Sequence, residues 1–212
     1  MDALLSFSDY FSGNWMALLE MTYEHIVMVL LGILFALIVG VPLGVLCTKN
    51  KKFEAVIMAL ANMIQVIPSL ALLAVLMLIF GLGFKTVVIG LFLYSLLPII
   101  RNTAVGLKEV DKNSIEAGTG MGMTRLQLLL RVKFPLSLPF VLAGLRIALV
   151  IGIGVATLAP FIGGDGLGRE ILSGINVRDT EKIFGGAIFA AILAILVDYL
   201  LGQTQKRIEA KR

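Results

Sequence analysis

Five long apolar runs constrain this chain more than any other feature. They cover roughly residues 25–47, 53–80, 84–107, 138–160 and 184–202. A helix needs about 20 mainly apolar residues to cross ~30 Å of hydrocarbon, and each run supplies that. The expected fold is therefore an all-α polytopic membrane protein with about five transmembrane helices, or six if the fourth run divides. Of the 212 residues, 58% are hydrophobic and 15% charged, against about 25% charged in a soluble domain. The single cysteine, Cys47, excludes an intramolecular disulfide framework and a cysteine metal cluster.

Before Ile26 the chain carries Asp2, Asp9, Glu20 and Glu24 but no Lys or Arg. That is the reverse of a signal peptide's positive start, and none is expected. Tyr10, Phe11, Trp15 and Met16 suggest that 9–20 is a short interfacial segment, since amphipathic aromatics favour the headgroup level. Basic residues are retained on the cytoplasmic side, and here they are strongly partitioned. Lys49, Lys51, Lys52, Arg101, Lys108, Lys112, Arg125, Arg131, Lys133, Lys206, Arg207, Lys211 and Arg212 fall on one face. Lys85, Arg169, Arg178 and Lys182 fall on the other. Thirteen against four places the amino terminus outside and the carboxyl terminus inside. The organisation expected is an external segment 1–20, a membrane domain 21–205 with a cytoplasmic loop at about 108–137, and a basic tail 206–212. The net charge of +4 reads as topology, so nucleic acid is not expected as a partner.

All six prolines, Pro42, Pro68, Pro98, Pro135, Pro139 and Pro160, lie in or beside the runs. An interior proline removes a helix hydrogen bond and favours a kink. Pro68 with Ser69, Pro98, and Thr157 with Pro160 are the candidate helix breaks or pathway positions; bent helices in a packed bundle are the equally weighted alternative. Gly40 and Gly44 form a small-xxx-small pair suited to close helix packing.

The loop at 108–137 is too polar to be embedded and too apolar for a slack linker. Ser114 is a candidate helix cap and Thr124 a second, with Gly118, Gly120 and Gly122 between them. Leu126, Leu128, Leu129, Leu130 and Val132 leave an apolar surface that suits a docking site or the base of the bundle itself.

The run Glu116-Ala117-Gly118-Thr119-Gly120-Met121-Gly122, nine residues, then Val132-Lys133-Phe134-Pro135, resembles the signature loop of permease subunits of binding-protein-dependent ABC importers. That pattern is Glu-Ala-Ala, three residues, Gly, nine residues, Ile-x-Leu-Pro. The chain keeps Glu116, Ala117, Gly122 and Pro135 and departs at Gly118, Val132 and Phe134. Gln65 to Leu73, Leu93 to Thr103, Gly120 to Thr124 and Ala156 to Gly164 are similar to the osmoprotectant branch, which imports glycine betaine, carnitine and choline. The resemblance implies a type I importer fold over about residues 20–205, a second permease copy or paralogue, an ABC ATPase carrying ATP-Mg, and an extracellular substrate-binding protein. It also implies that Glu116, Ala117, Gly118, Gly122, Met123 and Thr124 meet the ATPase.

No catalytic grouping or metal cluster is expected, and no cofactor in this chain. Gly81-Leu82-Gly83-Phe84-Lys85-Thr86 lacks the spacing of a phosphate loop, and the 163–168 glycines lack that of a dinucleotide site. Both read as external turns. Arg146 lies within the fourth run and Asp198 at similar depth in the fifth. An ion pair between them, snorkelling and a pathway role all stand as readings. His25, beside Glu24, reads as a lone interfacial polar residue. The rival functions are a permease for methionine or another small solute, and an ion-coupled secondary transporter, which would show inverted repeats.

Overall fold

The computed structural model describes residues 2–210, in nine α-helices joined by short turns. The first is α1 (Asp2–Cys47), 46 residues long. At 1.5 Å per residue that is roughly 70 Å, more than twice the hydrocarbon thickness. Residues 9–20 continue this same helix and form part of its N-terminal half. Leu18 is fully buried, the Tyr10 hydroxyl donates to Glu170 Oε1 at 2.7 Å, and Phe11 stacks on Phe189 with ring centroids 6.1 Å apart.

The helix α4 (Phe84–Lys108) is the spine of the bundle, with α1 and α7 (Phe134–Ala156) on either side. Glycines set the approach of α1. A Cβ at Gly32 would fall 2.6 Å from Leu91 Cβ, at Gly40 2.9 Å from Ile99 Cγ2, and at Gly44 2.6 Å from Thr103 Cβ. These pairs keep a constant offset, so α1 and α4 run parallel, with the Gly40 and Gly44 pair in the seam. Against α7 the order reverses. Gly106 meets Phe140, and Gly144 meets Asn102 and the Pro98 carbonyl, so that pair is antiparallel. Met28, Leu73, Leu91, Ile99, Ala148 and Ala156 fill the core between these helices.

The second run is where the chain departs most from expectation. It forms α2 (Lys51–Val66) and α3 (Ser69–Phe80), which meet at 98°. The fourth run, by contrast, does not divide. It is one helix preceded by α6 (Arg125–Leu128) and a π turn at Leu129–Lys133. Pro98 and Pro139 sit buried inside unbroken helices. After α7, Pro160 opens a short 3₁₀ turn, Ala159–Ile162, and Gly163 closes it with a left-handed φ of 74°. The turn at Gly81 to Gly83 joins α3 to α4, its glycines at φ 85° and 104°.

Two more helices complete the chain. α8 (Leu167–Val177) is too short to cross, and α9 (Thr180–Glu209) packs on both α7 and α8. The loop at 108–137 contributes α5 (Lys112–Gly120) and α6.

Candidate functional site

Each part of the loop folds for a local reason. Asp111, not Ser114, caps α5. Its carboxylate accepts from the Ser114 N–H at 3.1 Å, which places Ser114 at the third helical position, where an N-cap oxygen reaches. The far end is a Schellman turn. The Met123 N–H donates to Gly118 O and the Gly122 N–H to Thr119 O, at 3.1 and 3.0 Å. That turn needs a left-handed residue at Gly122, whose φ is 77°; a residue without Cβ takes it at no steric cost.

Thr124 then starts α6 through a capping box. Its hydroxyl accepts from the Gln127 N–H, and the Gln127 side chain accepts from the Thr124 N–H, at 3.3 and 2.9 Å. Gly118 is buried against α6, with its Cβ position 2.7 Å from Leu128 Cδ1 and 3.3 Å from Met123 Sδ. Pro135 follows the π turn, where the Phe134 N–H reaches Leu129 O. The wider turn accommodates a residue that cannot donate to the preceding ladder. The signature spacing is thus the spacing of a turn, a helix cap and a π turn.

The outward side of this unit carries Glu116, Ala117, Met121 and Leu126, all exposed, Met121 at 71% and Leu126 at 64%. Its root is tied to the bundle. Lys108, the last residue of α4, pairs with Glu54 on α2 at 2.5 Å, and Arg101 donates to Asn62 on the same helix at 3.0 Å.

The broken helix is held by a side chain from α4. At Ile67 the backbone turns extended, with ψ 127°, and Pro68 offers no N–H. The Ile67 carbonyl accepts instead from the Tyr94 hydroxyl on α4. Leu73, on α3, sits over Gly90 of α4. A break at membrane depth persists only where the freed backbone groups find partners, and Tyr94 is that partner. Pro98 is elsewhere: it lies in the α4–α7 crossing, its carbonyl accepting from the Asn102 side chain at 2.8 Å. The Thr157 hydroxyl caps Gly154 O at 2.7 Å at the end of α7. The structure therefore does not gather Pro68, Ser69, Pro98, Thr157 and Pro160 into one site.

Arg146 and Asp198 do meet. They form a two-pronged ion pair between α7 and α9, Nε to Oδ1 and Nη2 to Oδ2, the latter at 2.6 Å. Both side chains are partly exposed on the bundle surface.

His25 overturns its interfacial reading. It is fully buried, with Nε2 donating to the Ile153 carbonyl at 3.1 Å. The Thr157 N–H turns to Gly154 O, which leaves Ile153 O free at the helix end for the histidine.

The pattern of the family described as "Binding-protein-dependent transport system inner membrane component" matches residues 40–212. The chain is 46% identical to the carnitine transport permease protein OpuCD of Listeria monocytogenes serotype 1/2a (strain 10403S), over 97% of this chain and 93% of that one. It is 44% identical to the glycine betaine/carnitine/choline transport system permease protein OpuCD of Bacillus subtilis (strain 168), over 97% and 90%. With the osmoprotectant import permease protein OsmW of Salmonella typhimurium it shares 39%, over 92% and 94%. Among solved structures, an inward-facing form of the MetNI methionine ABC transporter superposes with a TM-score of 0.81 at 23% identity, covering 90% of this chain and 95% of that one. That likeness shows the type I importer permease fold. These matches and the span-length helices make it a multi-pass membrane protein, and the chain belongs to the family of binding-protein-dependent transport system inner membrane components.

Proposed function

We propose that this chain is the membrane-spanning permease subunit of an ATP-driven, binding-protein-dependent importer of quaternary-amine osmoprotectants: glycine betaine, carnitine and choline. The observation that carries the cargo is the 39 to 46% identity, nearly end to end, to permeases named for those solutes. The methionine transporter shares the fold at only 23%, so methionine is the weaker reading.

The loop supports the energy source. ATP binding on a separate ABC ATPase can shift a permease between inward and outward states only if some contact differs in free energy between them. A short helix capped at both ends moves as a unit, and α5 has that construction. Glu116 and the exposed Ala117 and Met121 would sit against the ATPase, while Gly118, Gly122, Met123 and Thr124 set the helix and its turn. The ion pair Glu54–Lys108 would carry the displacement to α2 and the break at Pro68. The Lys/Arg count supports a cytoplasmic position for this end, which would leave the amino terminus and an external binding protein on the other side. A second permease copy or a paralogue completes the pathway.

The test is uptake by the complex reconstituted with its cognate ATPase and binding protein. Labelled carnitine, glycine betaine and choline are offered in turn, with methionine as competitor. Uptake of at least one quaternary amine, indifferent to methionine, is expected. Uptake of methionine and none of the three would overturn the cargo.

A further inference from the structure

A groove of about 670 Å³ opens at the end of the bundle where α1 and α4 stop and α6 begins. Its walls carry three cations, Lys49, Arg125 and Lys133, and no carboxylate. None of the three forms an ion pair among the described residues. Its floor is apolar, made by Val45, Leu107 and Leu129 among others.

The π turn assembles this arrangement. In a regular α-helix, residues eight apart such as Arg125 and Lys133 differ in direction by about 80°. One extra residue taken up in the Leu129–Lys133 turn reduces that to about 20°, so both cations face the same groove. Lys49 closes the set from the α1–α2 turn, immediately beyond the end of α1 at Cys47.

We propose that this groove is a binding site for an anionic phospholipid, its phosphate held by Lys49, Arg125 and Lys133 and its acyl chain laid on Val45, Leu107 and Leu129. The groove sits where the spans end, at the boundary between hydrocarbon and water. Basic pockets between helices at that level hold anionic lipid headgroups. A soluble acidic segment would match the cations but leave the apolar floor uncovered; a phospholipid matches both. Because Arg125 follows the Thr124 cap directly, lipid occupancy would stabilise the start of α6 and the turn at Gly122.

The proposal is independent of the cargo and is tested on lipid binding alone. The permease–ATPase complex is titrated in neutral detergent with phosphatidylglycerol and with phosphatidylcholine of the same acyl chains, and bound lipid is counted by native mass spectrometry. Phosphatidylglycerol is expected to bind preferentially. Lys49→Gln with Lys133→Gln should weaken it about 25-fold, roughly fivefold per cation near an anionic surface. The Arg pair at the same positions should keep the preference, and Lys85→Gln, outside the groove, should leave it unchanged. Equal binding of the two lipids would overturn the proposal. So would full displacement by glycerol 3-phosphate, which would mean a site for a soluble anion. Loss of ATPase co-purification in the glutamine pair with lipid binding intact would assign the groove to the ATPase instead.

Discussion

Replacing Gly122 by alanine perturbs the loop at one torsion angle. The φ of 77° lies in the left-handed region, which costs an L-residue ~1–2 kcal/mol. No atom lies within 4 Å of the position a Cβ would take, so crowding adds nothing. Stiffening of the unfolded chain recovers part of this, about 0.4–1 kcal/mol at a compatible site. The net loss is therefore ~1 kcal/mol, roughly fivefold in the population of the closed turn. Asparagine, which tolerates this region, should lose less, and the β-branched valine more. Hydrogen exchange at Gly122 and Met123 reads the turn directly, because their N–H groups make its two closing bonds. Exchange should quicken in the order Gly, Asn, Ala, Val, and transport per permease should fall in the same order with membrane insertion unchanged. Gly118→Ala is the control. Its methyl meets the side-chain ends of Leu128, Met123 and Val132, at 2.7, 3.3 and 3.6 Å, which can shift without any change of backbone torsion, so it should quicken exchange less than Gly122→Val. If Gly122→Val exchanges and transports like the parent protein, the left-handed turn at Gly122 neither closes the loop nor serves transport.

Tyr94→Phe removes the hydroxyl that donates to the Ile67 carbonyl; a lost hydrogen bond costs ~0.5–1.5 kcal/mol, seen as a lower melting temperature of the purified complex. Arg146→Met or Asp198→Leu alone leaves an uncompensated charge on a span, so each should reduce thermal stability, and the double variant should recover part of the loss in the same melt. Glu54→Lys and Lys108→Glu should each lower solute moved per ATP hydrolysed, with the double reversal restoring it. If the single reversals leave that ratio unchanged, the strut from the loop to α2 carries no coupling.

What was legible in the sequence was what is local. The runs became helices because apolar length alone decides that in a bilayer. The loop's turn was visible because Gly122 and Thr124 act on neighbours within five residues. The break in the second run was not visible as such, since Pro68, Pro98 and Pro139 look alike in sequence. Their fates differ through tertiary partners: Pro98 is wrapped by α7, whereas the carbonyl freed before Pro68 is taken by Tyr94, 27 residues away. His25 was misread for the same reason, because its acceptor at Ile153 lies 128 residues along the chain. The helix α8 went unnoticed although Leu167, Ile171 and Gly174 have helical spacing; its glycine-rich start masked the signal. Asp111 was passed over for Ser114, three residues on, because both are good caps and only the backbone's entry angle separates them.

The central claim, that the energy for transport comes from ATP hydrolysed on another chain and reaches this one through the loop around Glu116, is tested most directly in proteoliposomes. The complex carries either the parent permease or Glu116→Lys, with ATP enclosed, and uptake of labelled glycine betaine or carnitine is measured beside hydrolysis. Uptake should require ATP and fall at least tenfold in Glu116→Lys with the permease still inserted. Uptake sustained by a sodium or proton gradient without ATP, or unchanged in the variant, would contradict the claim.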